Sequence, residues 1–239
     1  MFTHYKFLIR AGMFLMIAAA FASTAAAQMT IFNIPSTDTL QKRSFYIEGD
    51  FTSKLGAVSQ GGFRSYGVRT VYGLDHKTEI GVNAFYTTSI AAPFGEVQFS
   101  VKRKLYDNEK HGIAVSAGAM AFVPLRRQVG THSSMMIYGN VSKTIRPLKG
   151  ARVTSGIYSI IGGGNSFGTK TGAMLGLEQP LFKKFSFIGD WFSGRNRFGY
   201  ANVGINYAIT KRQFILAGYS FGNSGAGNNA LNVYYGYTY

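Results

Sequence analysis

The feature that most constrains this chain is a two-residue alternation of apolar and polar side chains, recurring in blocks of about ten residues. Twelve such blocks run from Arg43 to Tyr239. They fall near Arg43–Ser53, Gly62–Tyr72, Thr78–Thr88, Gly95–Tyr106, Gly112–Pro124, Ser134–Thr144, Ala151–Gly162, Thr171–Pro180, Phe185–Ser193, Phe198–Ile209, Gln213–Gly222 and Asn229–Tyr239. In the last, Leu231, Val233, Tyr235, Tyr237 and Tyr239 share one face of an extended chain, and Asn232, Tyr234, Gly236 and Thr238 share the other. Successive side chains of a strand point to opposite faces, so each block reads as a strand with one apolar face. No segment keeps a period near 3.6, and no helix is expected.

Residues 1–27 stand outside the pattern. Lys6 and Arg10 give a positive start, Ala11–Phe21 is an apolar run, and Ala25, Ala26 and Ala27 supply small residues. This is the layout of a secretory signal peptide cleaved before Gln28. The competing reading is an uncleaved anchor, but the run is short against the ~20 residues of a spanning helix. Removing those 27 from 239 residues leaves 212, and losing two bases lowers the formal charge from +15 to +13. Residues 28–42 then form a periplasmic lead-in segment and 43–239 one all-β domain. That length gives about 18 residues per strand and connection, and a spanning strand takes about 9–11. Ten or fourteen strands are the nearest alternatives, whereas eight would need long loops that the sequence lacks.

Charged residues make up only 15% of the chain, against roughly 25% in soluble domains. Gly numbers 30 and aromatics reach 15%. The 46% hydrophobic share argues against disorder. With no cysteine, a disulfide scaffold and a thiolate metal site are excluded. A pI near 10.0 would suggest a nucleic-acid partner, but an exported chain of low total charge fits a membrane β-barrel better.

The connections sort into two alternating sets. Leu74–Lys77, Asp107–Lys110, Arg146–Lys149, Phe182–Lys184 and Lys211–Arg212 are tight and charged. The others, from 56–61 to 223–229, are richer in Gly, Ser and Asn and somewhat longer. An up-and-down barrel produces this parity, with short periplasmic turns and longer outer loops.

A base at the bilayer midplane costs about 2–4 kcal/mol, so strand charges should point inward. That places Glu48, Asp50, Glu79, Glu96, Glu178 and Asp190 in the lumen, with Arg69, Lys102 and Lys104. The seventh and ninth strands are ambiguous, because Ile157/Tyr158 and Phe187/Ile188 are apolar on both faces. Gly67, Gly118, Gly176, Gly204, Gly218 and Gly236 fall inward and are expected to leave space for a narrow pore. A lumen plugged by a charge network is the alternative. The outer connections carry Lys54, Arg126, Arg127, Lys170, Arg195 and Arg197 and no acid. This basic rim suits attraction of anions, contact with lipopolysaccharide phosphates, or plain solvation.

The leader, the alternating strands and the final Val233-Tyr234-Tyr235-Gly236-Tyr237-Thr238-Tyr239 together resemble a bacterial outer-membrane β-barrel protein. The lead-in from Thr30 to Ser36 is similar to the mature start of small exported barrels. The resemblance implies a last strand read by the barrel assembly machinery through Val233, Tyr235, Tyr237 and Tyr239, where Phe is the usual terminal residue. It implies residence among outer-membrane lipids and says little about substrate.

Some barrels of this class are enzymes, which need a positioned His beside Ser or Asp. His76 and His111 fall in short turns; His132, followed by Ser133 and Ser134, falls in an outer loop, but adjacent residues of an extended chain point apart. The Asp-Ser-Asn run of the barrel phospholipases is absent. The glycines at 162–164 have neither the spacing nor the helix of a phosphate loop. The expectation is therefore a twelve-stranded outer-membrane barrel with no cofactor, metal or nucleic-acid partner. It acts as a narrow passive channel for small polar or anionic solutes, or else as a non-conducting structural or adhesion barrel, with an enzyme third.

Overall fold

The computed structural model describes residues 30–89, 94–126 and 131–239. Twelve strands form one closed antiparallel barrel. They are β1 Phe45–Lys54, β2 Phe63–Gly73, β3 Thr78–Thr88, β4 Phe94–Asn108, β5 Ile113–Pro124 and β6 Ser134–Ile145, then β7 Ala151–Gly162, β8 Thr171–Phe182, β9 Phe185–Phe192, β10 Tyr200–Ala208, β11 Gln213–Gly222 and β12 Ala230–Thr238. Each pairs with its sequence neighbours, and β12 returns to β1 in a seam running from Tyr46↔Thr238 to Ser53↔Leu231. The Phe45 N–H donates to the Tyr239 carbonyl at 3.1 Å, and the Tyr239 N–H to the Phe45 carbonyl at 2.7 Å. Closure lets backbone groups pair internally, which hydrocarbon demands. Helical turns among the described residues are confined to single 3₁₀ turns in connections.

The two-residue period decides the faces. Tyr46, Glu48 and Asp50 of β1 are buried, whereas Phe45 and Ile47 are exposed. Exposed Val68, Val82, Val101, Ile137, Leu175 and Val203 continue an apolar outer belt round the wall. The two ambiguous strands resolve. Ile157 is 70% exposed and Tyr158 1%; Ile188 is buried, and Phe187 shares the outward parity of exposed Trp191. In β4 the register slips between Lys104 and Tyr106, so Leu105 and Tyr106 both face out.

One expectation changes. The lead-in does not stand outside the barrel. Ile31, Phe32 and Ile34 are each 0% exposed, and Leu40 and Thr37 are buried with them against inward residues of the wall. Those apolar side chains find a dry site only inside, where the inward glycines leave hollows for them.

Val101 lies midway along β4, opposite Ile80 and Ala119. Val101→Arg should lower stability in lipid by about 2–4 kcal/mol, read as a shift in urea unfolding from vesicles. Ser100→Thr, on the inward face, should change it far less.

Candidate functional site

The candidate site is the lumen and the segment within it. Residues 30–36 make a hook: the Ile31 N–H donates to the Ile34 carbonyl at 2.9 Å, and Thr30 bridges to Pro35. The turn aims three successive N–H groups, of Phe32, Asn33 and Ile34, at Asp190 Oδ2, at 3.0, 2.5 and 2.7 Å. Asp190 Oδ1 accepts from Asn202 Nδ2 at 2.6 Å. A buried carboxylate requires such donors. From Asn202 the polar chain continues through Ser220 and Asn232 to Thr52, linking β9 to β1 across the seam.

The hook's side chains fill glycine sockets. A Cβ at Gly176 would meet Ile31 Cδ1 at 2.5 Å, and one at Gly204 or Gly218 would meet the Phe32 ring at 2.7 or 2.5 Å. Gly67, Gly118 and Gly236 likewise accommodate Phe85, Tyr138 and Phe214. The inward glycines are therefore occupied sockets rather than the open space the sequence suggests. Farther along, Asn140 Nδ2 donates to the Pro35 carbonyl at 2.6 Å, Arg152 Nη1 lies 2.5 Å from Asp38 Oδ2, and the Leu40 N–H donates to Glu79 Oε2 at 2.8 Å. Burial raises the Asp38 carboxyl, but Arg152 outweighs it, and the group titrates below its ordinary 3.8. A lowered folded pKa means that this anchor acts fully above the ordinary value and is lost as pH falls through the lowered one.

The lumen charges sort into groups. Arg69 Nε lies 2.5 Å from Asp50 and 3.4 Å from Glu48, its guanidinium over the rings of Phe85 and Tyr234. Lys102 meets Glu79 at 2.8 Å, and Lys104 meets Asp107 at 2.8 Å toward the inner turn. Glu178 and Glu96 take partners that the sequence reading did not assign. Arg152 Nε lies 3.9 Å from Glu178, and Arg197 grips Glu96 with two nitrogens at 2.6 and 2.8 Å.

Toward the end that carries the longer connections, side chains pack together. Phe122, Met136, Tyr158, Ile160, Met174 and Phe192 are buried there, with Phe167 and Phe198 packed on them. Arg197 stacks on Phe122 and Phe198 at 5.2 and 5.3 Å. The sequence puts Arg197 on the basic rim, and its side chain, still 39% exposed, reaches from there to the buried Glu96 carboxylate. Lys54 Nζ donates to the Gly227 carbonyl at 3.0 Å; Arg126, Lys170 and Arg195 are exposed, and Arg127 lies outside the described residues. On β12, Val233 and Tyr235 face out, Tyr237 is half-buried, and Tyr239 is exposed at the chain end.

Sequence reasoning missed Arg152 and Asp38. Arg152 stands on the ambiguous β7, and Asp38 in a segment read as external. The available signal was Ile31-Phe32-Asn33-Ile34, an apolar cluster with no use in water. His132 rests its imidazole against Gly164. Among the described residues no hydroxyl or carboxylate hydrogen-bonds to it, and no group of three His, Cys, Asp or Glu could hold a metal.

The chain lacks cysteine, so one introduced thiol reports cleanly. Ser36→Cys places it on the buried segment and should resist a water-soluble maleimide in the folded barrel. Adding Gly218→Leu, which obstructs the Phe32 socket, should raise its labelling rate at least about tenfold, an equilibrium shift of roughly 1.4 kcal/mol.

No family model and no curated protein matches the chain. Solved structures do. The KdgM porin in complex with disordered oligogalacturonate is similar with a TM-score of 0.58 at 8% identity, covering 82% of this chain and 98% of that one. An outer membrane channel from Pseudomonas putida F1 gives 0.56 at 14%, covering 85% and 98%. An active-site mutant of outer membrane phospholipase A from Escherichia coli gives 0.50 at 13%, covering 91% and 98%. At these identities the likeness is one of fold: the chain is an all-β, twelve-stranded barrel of the bacterial outer-membrane type.

Proposed function

We propose that the protein is a passive outer-membrane channel for small polar solutes, exported by a cleaved leader and held shut at rest by its own residues 30–42. The observation that carries this reading is the way the segment is seated. It fills the lumen through sockets and polar anchors, yet takes no place in the barrel ladder. Its departure would leave all twelve pairings intact and expose a wall of Glu, Asp, Asn, Ser, Lys and Arg. Fold likeness to a porin and to an outer membrane channel supports passage. Arg126, Lys170 and Arg195 would steer anions or meet lipopolysaccharide phosphates, and the outward side chains of β12 would serve assembly. A second reading, a permanently closed structural barrel, is favoured by the aromatic packing toward the longer connections.

Planar-bilayer recording separates the two. The chain starting at Gln28 should give rare or no steps. A chain lacking residues 28–40 should give regular ones, with heat-modifiable gel mobility showing that it folds. Folded but silent protein in both cases would establish the structural barrel.

A further inference from the structure

We propose that the groove between the β4–β5 and β6–β7 connections binds the phosphate headgroup of a net-anionic phospholipid through Lys143 and Arg146. This goes beyond the channel reading and does not depend on whether the lumen opens.

Lys143 stands on the outward face of β6, two residues after exposed Val141, and pairs with Ile113 and Val153. An outward base is tolerated only where the hydrocarbon ends. Its Nζ reaches past Ile113 and donates to the His111 carbonyl in the β4–β5 connection at 2.6 Å, as a long basic side chain does when it seeks the interface. Arg146 makes the matching contact, its Nη2 donating to the Glu109 carbonyl at 2.6 Å. A 3₁₀ turn over Arg146–Leu148, with Pro147 inside it, fixes the backbone that carries this guanidinium.

Both cations are thus positioned by carbonyl dipoles, which orient a charge without cancelling it. Among the described residues neither forms an ion pair, and nor does Lys110; Asp107 is engaged by Lys104. With Lys110, His111 and Thr144, the two side chains line a groove of about 260 Å³ that has no carboxylate among its lining residues. An ammonium has three N–H donors and a guanidinium five, so most remain for a ligand.

Unanswered positive charge and spare donors suit a phosphate. Depth selects a lipid over a free ion. Exposed Val141 and Val153 flank Lys143, so the groove sits where the apolar belt gives way to headgroups. The missing carboxylate selects the headgroup. Choline or ethanolamine would bring an ammonium with no acid to meet it, whereas a glycerol headgroup leaves the phosphate charge to the two bases.

Lipid titration tests the site. The mature chain, folded in non-ionic detergent and checked by heat-modifiable gel mobility, is titrated with phosphatidylglycerol or phosphatidylcholine, and bound lipid is read by native mass spectrometry. The first phosphatidylglycerol should bind at least about tenfold more tightly than phosphatidylcholine. Lys143→Gln with Arg146→Gln should bring the two lipids within about twofold, and Arg146→Gln alone carries the same test if the pair fails to fold. Lys143→Arg with Arg146→Lys keeps the charge and should keep the preference. So should Lys183→Gln with Lys184→Gln in another short connection. Equal binding of the two lipids, or a preference that survives loss of the bases, would overturn the proposal. An equal loss in the Lys183 and Lys184 variant would replace the site with diffuse rim charge. Displacement of the lipid by glycerol 3-phosphate at equal concentration would make it a free-phosphate site and overturn the lipid assignment.

Discussion

Everything in this molecule follows from the demand that the backbone hydrogen-bond to itself where water is absent. Only closure of β12 on β1 removes the two strand edges. Closure at twelve strands then creates a second problem. Barrels of about eight strands can be filled by side chains, while those of 16–18 strands hold water. At twelve the wall falls short of filling its own interior, and inward glycines at 176, 204 and 218 deepen the deficit on one side. Ile31, Phe32 and Ile34 fall into that deficit. The wall and the segment are complementary halves of one packing solution.

The segment brings peptide groups into a dry interior, so its own backbone needs partners. Asp190 answers three N–H groups with one oxygen, Asn140 answers the Pro35 carbonyl, and Glu79 answers the Leu40 N–H. Buried charges of this kind contribute little net stability, because desolvation offsets attraction. Their effect is positional. Only one register of the hook satisfies Asp190 and Glu79 together, which fixes where Phe32 meets Gly204 and Gly218. At the outer end, Arg197 and Glu96 do the same for the 193–199 connection, holding Phe198 over Phe122 and Phe192.

Strands and faces were legible because lipid and lumen differ in polarity and the strand period is exact. The six wall acids were legible for the same reason, since hydrocarbon leaves a charge one direction to point. Legibility failed where both sides are apolar. On β7, Ile157 meets lipid and Tyr158 packs on Phe192, so hydrophobicity stopped reporting the face and Arg152 went unassigned. It failed again at the glycines, because a missing side chain looks the same whether it leaves a pore or a socket. The distinction lay in a different segment, whose apolar residues were read without a site to receive them. Arg197 shows a third limit: its composition placed it in an outer loop, but its direction depends on a carboxylate 101 residues away.

The distribution of these forces bears on whether closure can be reversible. Burial of Ile31, Phe32, Ile34 and Leu40 favours the seated segment, and the conformational entropy of residues 30–42 opposes it on the same scale. With those two effects set against each other, no large margin holds the segment in, and the polar anchors fix where it sits. These are separate sites on separate strands: Asp190 on β9, Asn140 on β6, Arg152 on β7 and Glu79 on β3. Their bonds to the segment are made by side chains and lie outside the ladder, so loosening one does not cost a strand pairing. A wall built on backbone hydrogen bonds can therefore stay intact while a segment held by side chains comes and goes. That separation of the two kinds of bond is the physical condition for a barrel that opens without unfolding.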